Sequence, residues 1–195
     1  MKSVLISIQP KWCELIASGE KTVEVRKTKP KLETPFKVYI YETKGKTETP
    51  TFIDEDGHEI YQGRGQVIGE FVCDYIEDFK EFEYGIDILH RRIKLNTYIN
   101  YGEIYDYLGF KKCGYGWHIS NLVIYDKPRE LSEFVVEGDC LNGDCKKCKW
   151  FDGGNNYNVE ADCLLPYDFH FNKSVKPLFR PPQSWCYVES EVDSE

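Results

Sequence analysis

No stretch of the chain approaches the roughly 20 apolar residues that a transmembrane helix requires. The N-terminal apolar run from Val4 to Ile8 is broken by Pro10 and by charges before it could serve as the apolar segment of a signal peptide. The expectation is a cytoplasmic protein with no membrane partner. An excess of positive charge is also missing. Twenty-five Lys and Arg stand against 33 Asp and Glu, a formal net charge of −8. That balance excludes coating of nucleic acid by bulk electrostatics, because neutralising phosphates needs a positive surface. Internal repeats, low-complexity tracts and a regular βαβ alternation are absent too, which argues against solenoids and parallel α/β folds.

What is present suits one globular core with a modest appendage: 195 residues, 41% of them hydrophobic and 30% charged. Aromatics reach 15%, with 14 Tyr and four Trp, enough to furnish either buried strand positions or a stacking surface. Charge is unevenly placed. Residues 1–50 carry ten Lys/Arg against six Asp/Glu, and the rest of the chain fifteen against twenty-seven. A basic site on an acidic body suits one small anionic group or a short strand better than a long duplex.

Val4 to Ile8 reads as a strand, followed by a helix with Pro10 in its first turn, Trp12, Leu15 and Ile16 on one face and Gly19 at its end. Thr22 to Arg26 alternates with period two, turning Val23 and Val25 one way and Thr22, Glu24 and Arg26 the other. Phe36 to Tyr41 is β-rich, and residues 44–65 form an exposed excursion, a hairpin or a loop. Gln66 to Tyr75 reads as a strand in which Gly69 marks a bulge or a close backbone approach. Residues 86–108 have helical spacing, Gly114-Tyr115-Gly116 breaks the chain, Trp117 to Tyr125 is a strand, and Pro128 to Phe134 a turn of helix. Ser184 to Glu189 is the last strand. Short strands with a few helices predict an α+β fold, an antiparallel or mixed barrel-like sheet with helices at its edges.

Two constellations carry chemistry. Gly19 to Arg26 fits G-x-K-x-x-E-x-R. Lys21 and Arg26 offer donors for phosphate or a base carbonyl, the guanidinium as a planar fork and the ammonium as a point charge. Glu24 between them would accept from a base amino group or act as a general base, its carboxyl lowered by the two cations. An exposed strand with an ordinary salt bridge is the plain alternative. Trp12, Tyr115, Trp117 and Trp185 are candidates for a base-stacking wall or for core packing. His118 is a candidate titrating group or a structurally satisfied strand histidine.

With Ser7-Ile8-Gln9-Pro10-Lys11-Trp12 upstream, and Lys37 to Tyr41, Ile68-Gly69-Glu70-Phe71 and Gly116-Trp117-His118-Ile119 downstream, this motif resembles the ASCH family over residues 3–134. The resemblance implies a PUA-like β-barrel with a cleft beside the motif that binds RNA or modified nucleosides, adding Gln9 and Glu70 to the candidate binding residues. Some small members are amidohydrolases acting on N4-acetylated cytidine through Lys, Thr and Glu, and others are ribonucleases. This chain keeps Lys21 but carries Glu24 where the amidohydrolase pattern has its Thr. Recognition therefore leads, with Lys21 and Glu24 as candidate catalytic residues and Glu70 and Glu103 as further carboxylates, and whether the protein is an enzyme stays open.

The second constellation is Cys140, Cys145, Cys148 and Cys163, spaced C-x4-C-x2-C-x14-C. In a reducing compartment, eight Cys read as thiols or ligands, not disulfides. Four thiolates at this spacing suit a tetrahedral structural zinc with no open position for a catalytic water; His170 is a possible substitute ligand, and unligated thiols, or less readily a disulfide or an iron–sulfur cluster, are the alternatives. Cys13, Cys73, Cys113 and Cys186 read as packed thiols. The expected organisation is a barrel over 1–136, a cysteine-rich zinc loop over 137–175, and a strand over 176–195 that completes the barrel and leads into a short tail. Such endings resemble phage and bacterial members of the same family. Three functions follow: a binder of RNA or a modified nucleotide, a hydrolase of such a ligand, or a protein-interaction module, conceivably phage-encoded, that works through the acidic body.

Overall fold

The computed structural model describes residues 2–47, 50, 52–53, 57–60, 62–79, 97, 101–108, 114–137 and 175–189. The first strand, β1 (Lys2–Ile8), is buried from Ser3 to Ile8, on both faces, so its near-continuous apolar run is that of a central strand. Pro10 then opens α1 (Pro10–Ala17), where its missing N–H would lack a helical partner anyway. Gly19 leaves the helix at φ +76°, a left-handed conformation that favours glycine. Cys13 and Ile16 are buried on this helix and Trp12 and Leu15 half-buried, so the expected face stands with Cys13 added to its centre.

Next come β2 (Val23–Arg26), β3 (Phe36–Glu42), the short pair β4 (Phe52–Ile53) and β5 (Glu59–Ile60), β6 (Val67–Phe79), α2 (Tyr101–Leu108) and β7 (Gly114–Arg129). A 3-10 turn (Leu131–Glu133) precedes β8 (Val135–Glu137), β9 (Val175–Pro177) and β10 (Trp185–Glu189). Six strands make one sheet in the order β10-β1-β3-β6-β7-β2. Its β1–β3 pair is parallel and the others antiparallel, so the sheet is mixed. β4 with β5, and β8 with β9, form two small antiparallel pairs.

The sheet curls. Arg26 on β2, at one edge of the sheet, donates through Nη2 to the Ser7 carbonyl on β1, 2.7 Å away, although three strands separate β2 from β1 in the ladder. Inside the curl, Val4, Ile6 and Ile8, Val38 and Ile40, Phe71 and Cys73, and Trp117 form the main core. On the opposite face Leu5, Tyr39, Tyr41, Val67 and Val188 pack with Leu131 and Phe134 of the 3-10 segment. Burial pushes the Cys73 thiol up to about 12 and the Cys186 thiol up to about 11, as for packed thiols.

The residues 44–65 excursion contains the β4–β5 hairpin. Gly69 is a close approach: a Cβ there would lie 2.4 Å from the Val123 carbonyl oxygen, and the β6–β7 register shifts beside it. Two expectations are corrected. Gly114 to Gly116 does not break the chain but opens β7, where the missing Cβ of Gly114 makes room for Leu108 of α2. Pro128 starts no helix. β7 carries on through it to Arg129, and the helical turn is confined to Leu131–Glu133, capped by reciprocal hydrogen bonds between Glu130 and Glu133. Of residues 86–108, the stretch 101–108 is helical, while 86–96 lies outside the described residues.

Candidate functional site

β2 is buried along its whole length, which removes the plain alternative of an exposed strand. Lys21, Glu24 and Arg26 are exposed by only 1%, 6% and 7%. The cause is register. Glu24 stands directly opposite Trp117 on β7, and residues opposite each other in an antiparallel pair turn to the same face. Trp117 is wholly buried in the main core, so the Glu24 carboxylate also turns inward. Val23 and Val25 are buried on the other face.

The three charges hold one another. Arg26 Nη2 lies 3.0 Å from Glu24 Oε1, and Lys21 Nζ lies 3.3 Å from Glu24 Oε2 without hydrogen-bond alignment. Lys21 Nζ donates to the Val23 carbonyl at 2.7 Å and the Thr97 carbonyl at 2.9 Å. Burial lowers the Lys21 ammonium from its ordinary range, with Glu24 opposing that shift and Arg26 adding to it. Three buried polar atoms here have no hydrogen-bond partner among the described residues: Glu24 Oε2, Arg26 Nε and Trp117 Nε1. The result is an acceptor and two donors, held inside the curl by a rigid strand pair.

Two nearby groups escaped the sequence reading. Glu42, at the end of β3, is 2% exposed and accepts from the Arg64 backbone N–H at 2.7 Å. Period two from Val38 and Ile40 could have revealed it, since the same alternation turns Glu42 inward. The Ser7 carbonyl that receives Arg26 left no signal, because nothing local ties β1 to β2. Burial first, then the Glu42 and Glu24 carboxylates, hold the Cys13 thiol well above its ordinary range.

The remaining candidates fall into three groups. Trp12, half-buried, lies under both Lys11 and Lys21, whose Nζ atoms are 4.4 and 5.5 Å from its ring centre. Trp185 packs on Trp117 at 5.9 Å between ring centres, and Tyr115, opposite Arg26 on β7, lies under Lys29. Gln9 is exposed at the entry to α1. Trp117 takes the core-packing alternative, with the rings of Phe36 and Trp185 each centred 5.9 Å from its own. Glu70 and His118 are not part of this cluster. Glu70 pairs with Tyr39 on the opposite face of the sheet, where it accepts from Tyr125 at 2.6 Å and meets Lys37 at 3.0 Å. His118 packs beside Tyr75, with Nε2 3.6 Å from Glu77. Glu103 is exposed on α2, 3.7 Å from Lys11.

Cys113, Cys140, Cys145, Cys148, Cys163 and His170 lie outside the described residues. Among the described residues no group of three or more His, Cys, Asp or Glu could hold a metal ion, and no helix is long and apolar enough to cross a membrane.

A family model described as "ASCH domain" matches residues 6–126. No curated protein matches the chain. Among solved structures, ASCH from Zymomonas mobilis is 19% identical, with a TM-score of 0.48 over 66% of this chain and 73% of that one. A serine-to-alanine mutant of the Zymomonas mobilis protein is 16% identical, with a TM-score of 0.54 over 96% and 89% of the two chains. A tyrosine-to-phenylalanine mutant is 19% identical, with a TM-score of 0.48 over 67% and 77%. The second of these likenesses bears on the fold alone.

Proposed function

The chain belongs to the ASCH domain family, whose members are generally RNA-associated, and from that premise we propose that it binds RNA or a modified nucleotide at the Lys21–Glu24–Arg26 cluster. One observation carries this reading: among the described residues the buried donors Arg26 Nε and Trp117 Nε1 have no hydrogen-bond partner, beside a Glu24 Oε2 held only by its 3.3 Å ion pair with Lys21. Each buried polar group without a partner costs about 1–3 kcal/mol. Two such donors are a sizeable fraction of the roughly 5–15 kcal/mol that holds a domain folded. A base edge, with donors beside acceptors, is the complement of such a set. Trp12 offers a half-buried ring beside the cluster for stacking.

Titration with mononucleosides, modified nucleosides and short unstructured RNAs at low salt tests the reading. Glu24→Gln, which keeps the shape and removes the charge, should weaken binding by on the order of tenfold or more, as for a charge-assisted hydrogen bond. The reading fails if no ligand binds, or if the variant binds as tightly as the natural protein.

Hydrolysis at the same site is a second reading, and the burial-lowered ammonium of Lys21 favours it, because a basic or nucleophilic lysine needs a depressed pKa. Against a nucleophilic role, two Lys21 protons are committed to backbone carbonyls and the third direction faces Glu24. Glu24 orienting a water is the form of catalysis this leaves. Turnover of N4-acetylcytidine or labelled RNA above a Lys21→Ala control would establish it.

The cysteine-rich segment enters the proposal separately, with Cys140, Cys145, Cys148 and Cys163 holding a structural zinc.

A further inference from the structure

Immediately after Arg26 the chain runs Lys27-Thr28-Lys29-Pro30-Lys31, with all three lysines exposed, in a protein whose net charge is −8. Side chains of the far edge of the sheet hold this loop in place. Trp185 Nε1 donates to Thr28 Oγ1 at 3.0 Å, and the Lys31 backbone N–H donates to the Tyr187 hydroxyl at 2.7 Å. Pro30 is buried between them in sequence. Two of the cations are laid on aromatic rings: Lys27 Nζ lies 5.0 Å from the ring centre of Tyr107 on α2, and Lys29 Nζ 4.9 Å from that of Tyr115. Lys29 also meets Asp78 at 3.0 Å, an exposed pair that water and salt weaken. Tyr115 stands opposite Arg26 in the β2–β7 register, so the row of lysines starts where the buried cluster ends.

We propose that residues 27–31 form a rail for the sugar–phosphate backbone of single-stranded RNA, one base of which enters the Lys21–Glu24–Arg26 cluster. This rests on the reading of that cluster as a nucleotide site. Mobile surface lysines lose side-chain entropy when they bind. Lysines seated on rings, on a loop tied down at two points, are already ordered and lose less. Aromatic rings interleaved with cations are also what a single strand needs, since its phosphates seek charge and its bases seek flat apolar faces. Tyr107, 37% exposed, leaves ring surface open for a base.

The experiment uses the full chain, a fluorescent 12-nucleotide unstructured RNA, and the corresponding mononucleosides, which carry no phosphate. The variant is Lys27→Gln/Lys29→Gln/Lys31→Gln, which removes the three charges, keeps the first two methylenes of each side chain and leaves Thr28, Trp185 and Tyr187 in place; its melting temperature is the check on folding. Each phosphate contact to a single strand adds about 0.7 to the salt slope, so losing three makes the slope shallower by about 2. Between 50 and 200 mM salt the natural protein should therefore lose about 20-fold more RNA affinity than the variant. Mononucleoside affinity should stay unchanged. Asp78→Asn, which frees Lys29, should tighten RNA binding. An unchanged salt slope in the triple variant overturns the rail, whatever the mononucleosides do. If the slope changes as expected while no mononucleoside binds, the rail stands and the reading of the buried cluster falls. RNA that fails to bind the natural protein at low salt overturns both.

Discussion

Glu24 Oε1 and Arg26 Nη2 lie 3.0 Å apart inside the curled sheet, and the same Nη2 reaches the Ser7 carbonyl of β1. One guanidinium thus joins the charged cluster to a strand four places away in the sheet order. The motif that marks the candidate site is at the same time a clasp that holds the curl closed. Stability and ligand binding should be coupled through it.

Removing the carboxylate strands two buried cations. Glu24→Ala should lower unfolding free energy by about 3–5 kcal/mol, the usual effect of breaking a buried ion pair from one side. Urea unfolding measures it. A loss under about 1 kcal/mol would mean that water reaches the cations and that the cluster is an ordinary surface pair.

Trp117 separates packing from hydrogen bonding. Trp117→Ala empties a wholly buried site and should cost about 3–5 kcal/mol. Trp117→Phe keeps most of the apolar volume but removes Nε1, which has no hydrogen-bond partner among the described residues. It should stay folded, with a smaller loss of stability, and bind nucleotide more weakly. Equal ligand affinity in Trp117→Phe and the natural protein would show that Nε1 takes no part.

Gly69 is a sensitive glycine to test. A methyl there meets the Val123 carbonyl oxygen at 2.4 Å, so Gly69→Ala must push β6 from β7, and a loss of more than about 2 kcal/mol is expected. Gly19→Ala is the contrast. Nothing lies within 4 Å of its added Cβ, and only the positive φ opposes it, at about 1 kcal/mol. Comparable losses in the two variants would contradict the close approach.

Glu70 sets a pH dependence. Burial alone would raise its carboxyl, but hydrogen bonds from Tyr125 and Lys37, with the charges of Lys37 and Arg129, outweigh burial and hold it below its ordinary 4.5. A carboxyl depressed by folding contributes stability that is complete above its unfolded value, near 4.5 here, and is lost as pH falls through the folded value. Tyr125→Phe should cost about 1–2 kcal/mol near pH 7 and less at a pH below the folded value, where the carboxyl is protonated in both states. An equal loss at both pH values would assign the effect to packing.

For the cysteine-rich segment, protein purified without chelator should carry about one zinc per chain. Protein purified in this way that contains no zinc and has the four thiols free to react with an alkylating reagent would discard the proposal.

Several elements were legible because a strictly local signal specified them. Pro10 and Gly19 bound α1, a period-two run marked β2, β-rich runs marked β3, β6 and β10, and Gly69 announced its close approach. Where β7 ran on through Pro128 instead of turning helical, the cross-strand ladder to β6 overrode a local punctuation mark. The candidate site divides in the same way. G-x-K-x-x-E-x-R named Lys21, Glu24 and Arg26 and placed Glu24 and Arg26 on one side of a strand, because alternation is a property of the chain itself. Which side faces water is not such a property. It was decided when β2 paired with β7 in the register that sets Glu24 against Trp117, and when the sheet curled far enough for Arg26 to reach Ser7. Pairing register and curl arise between segments far apart in sequence, so the residues of the site could be read from the chain, but their burial, their partners and their unpaired atoms came only with the tertiary structure.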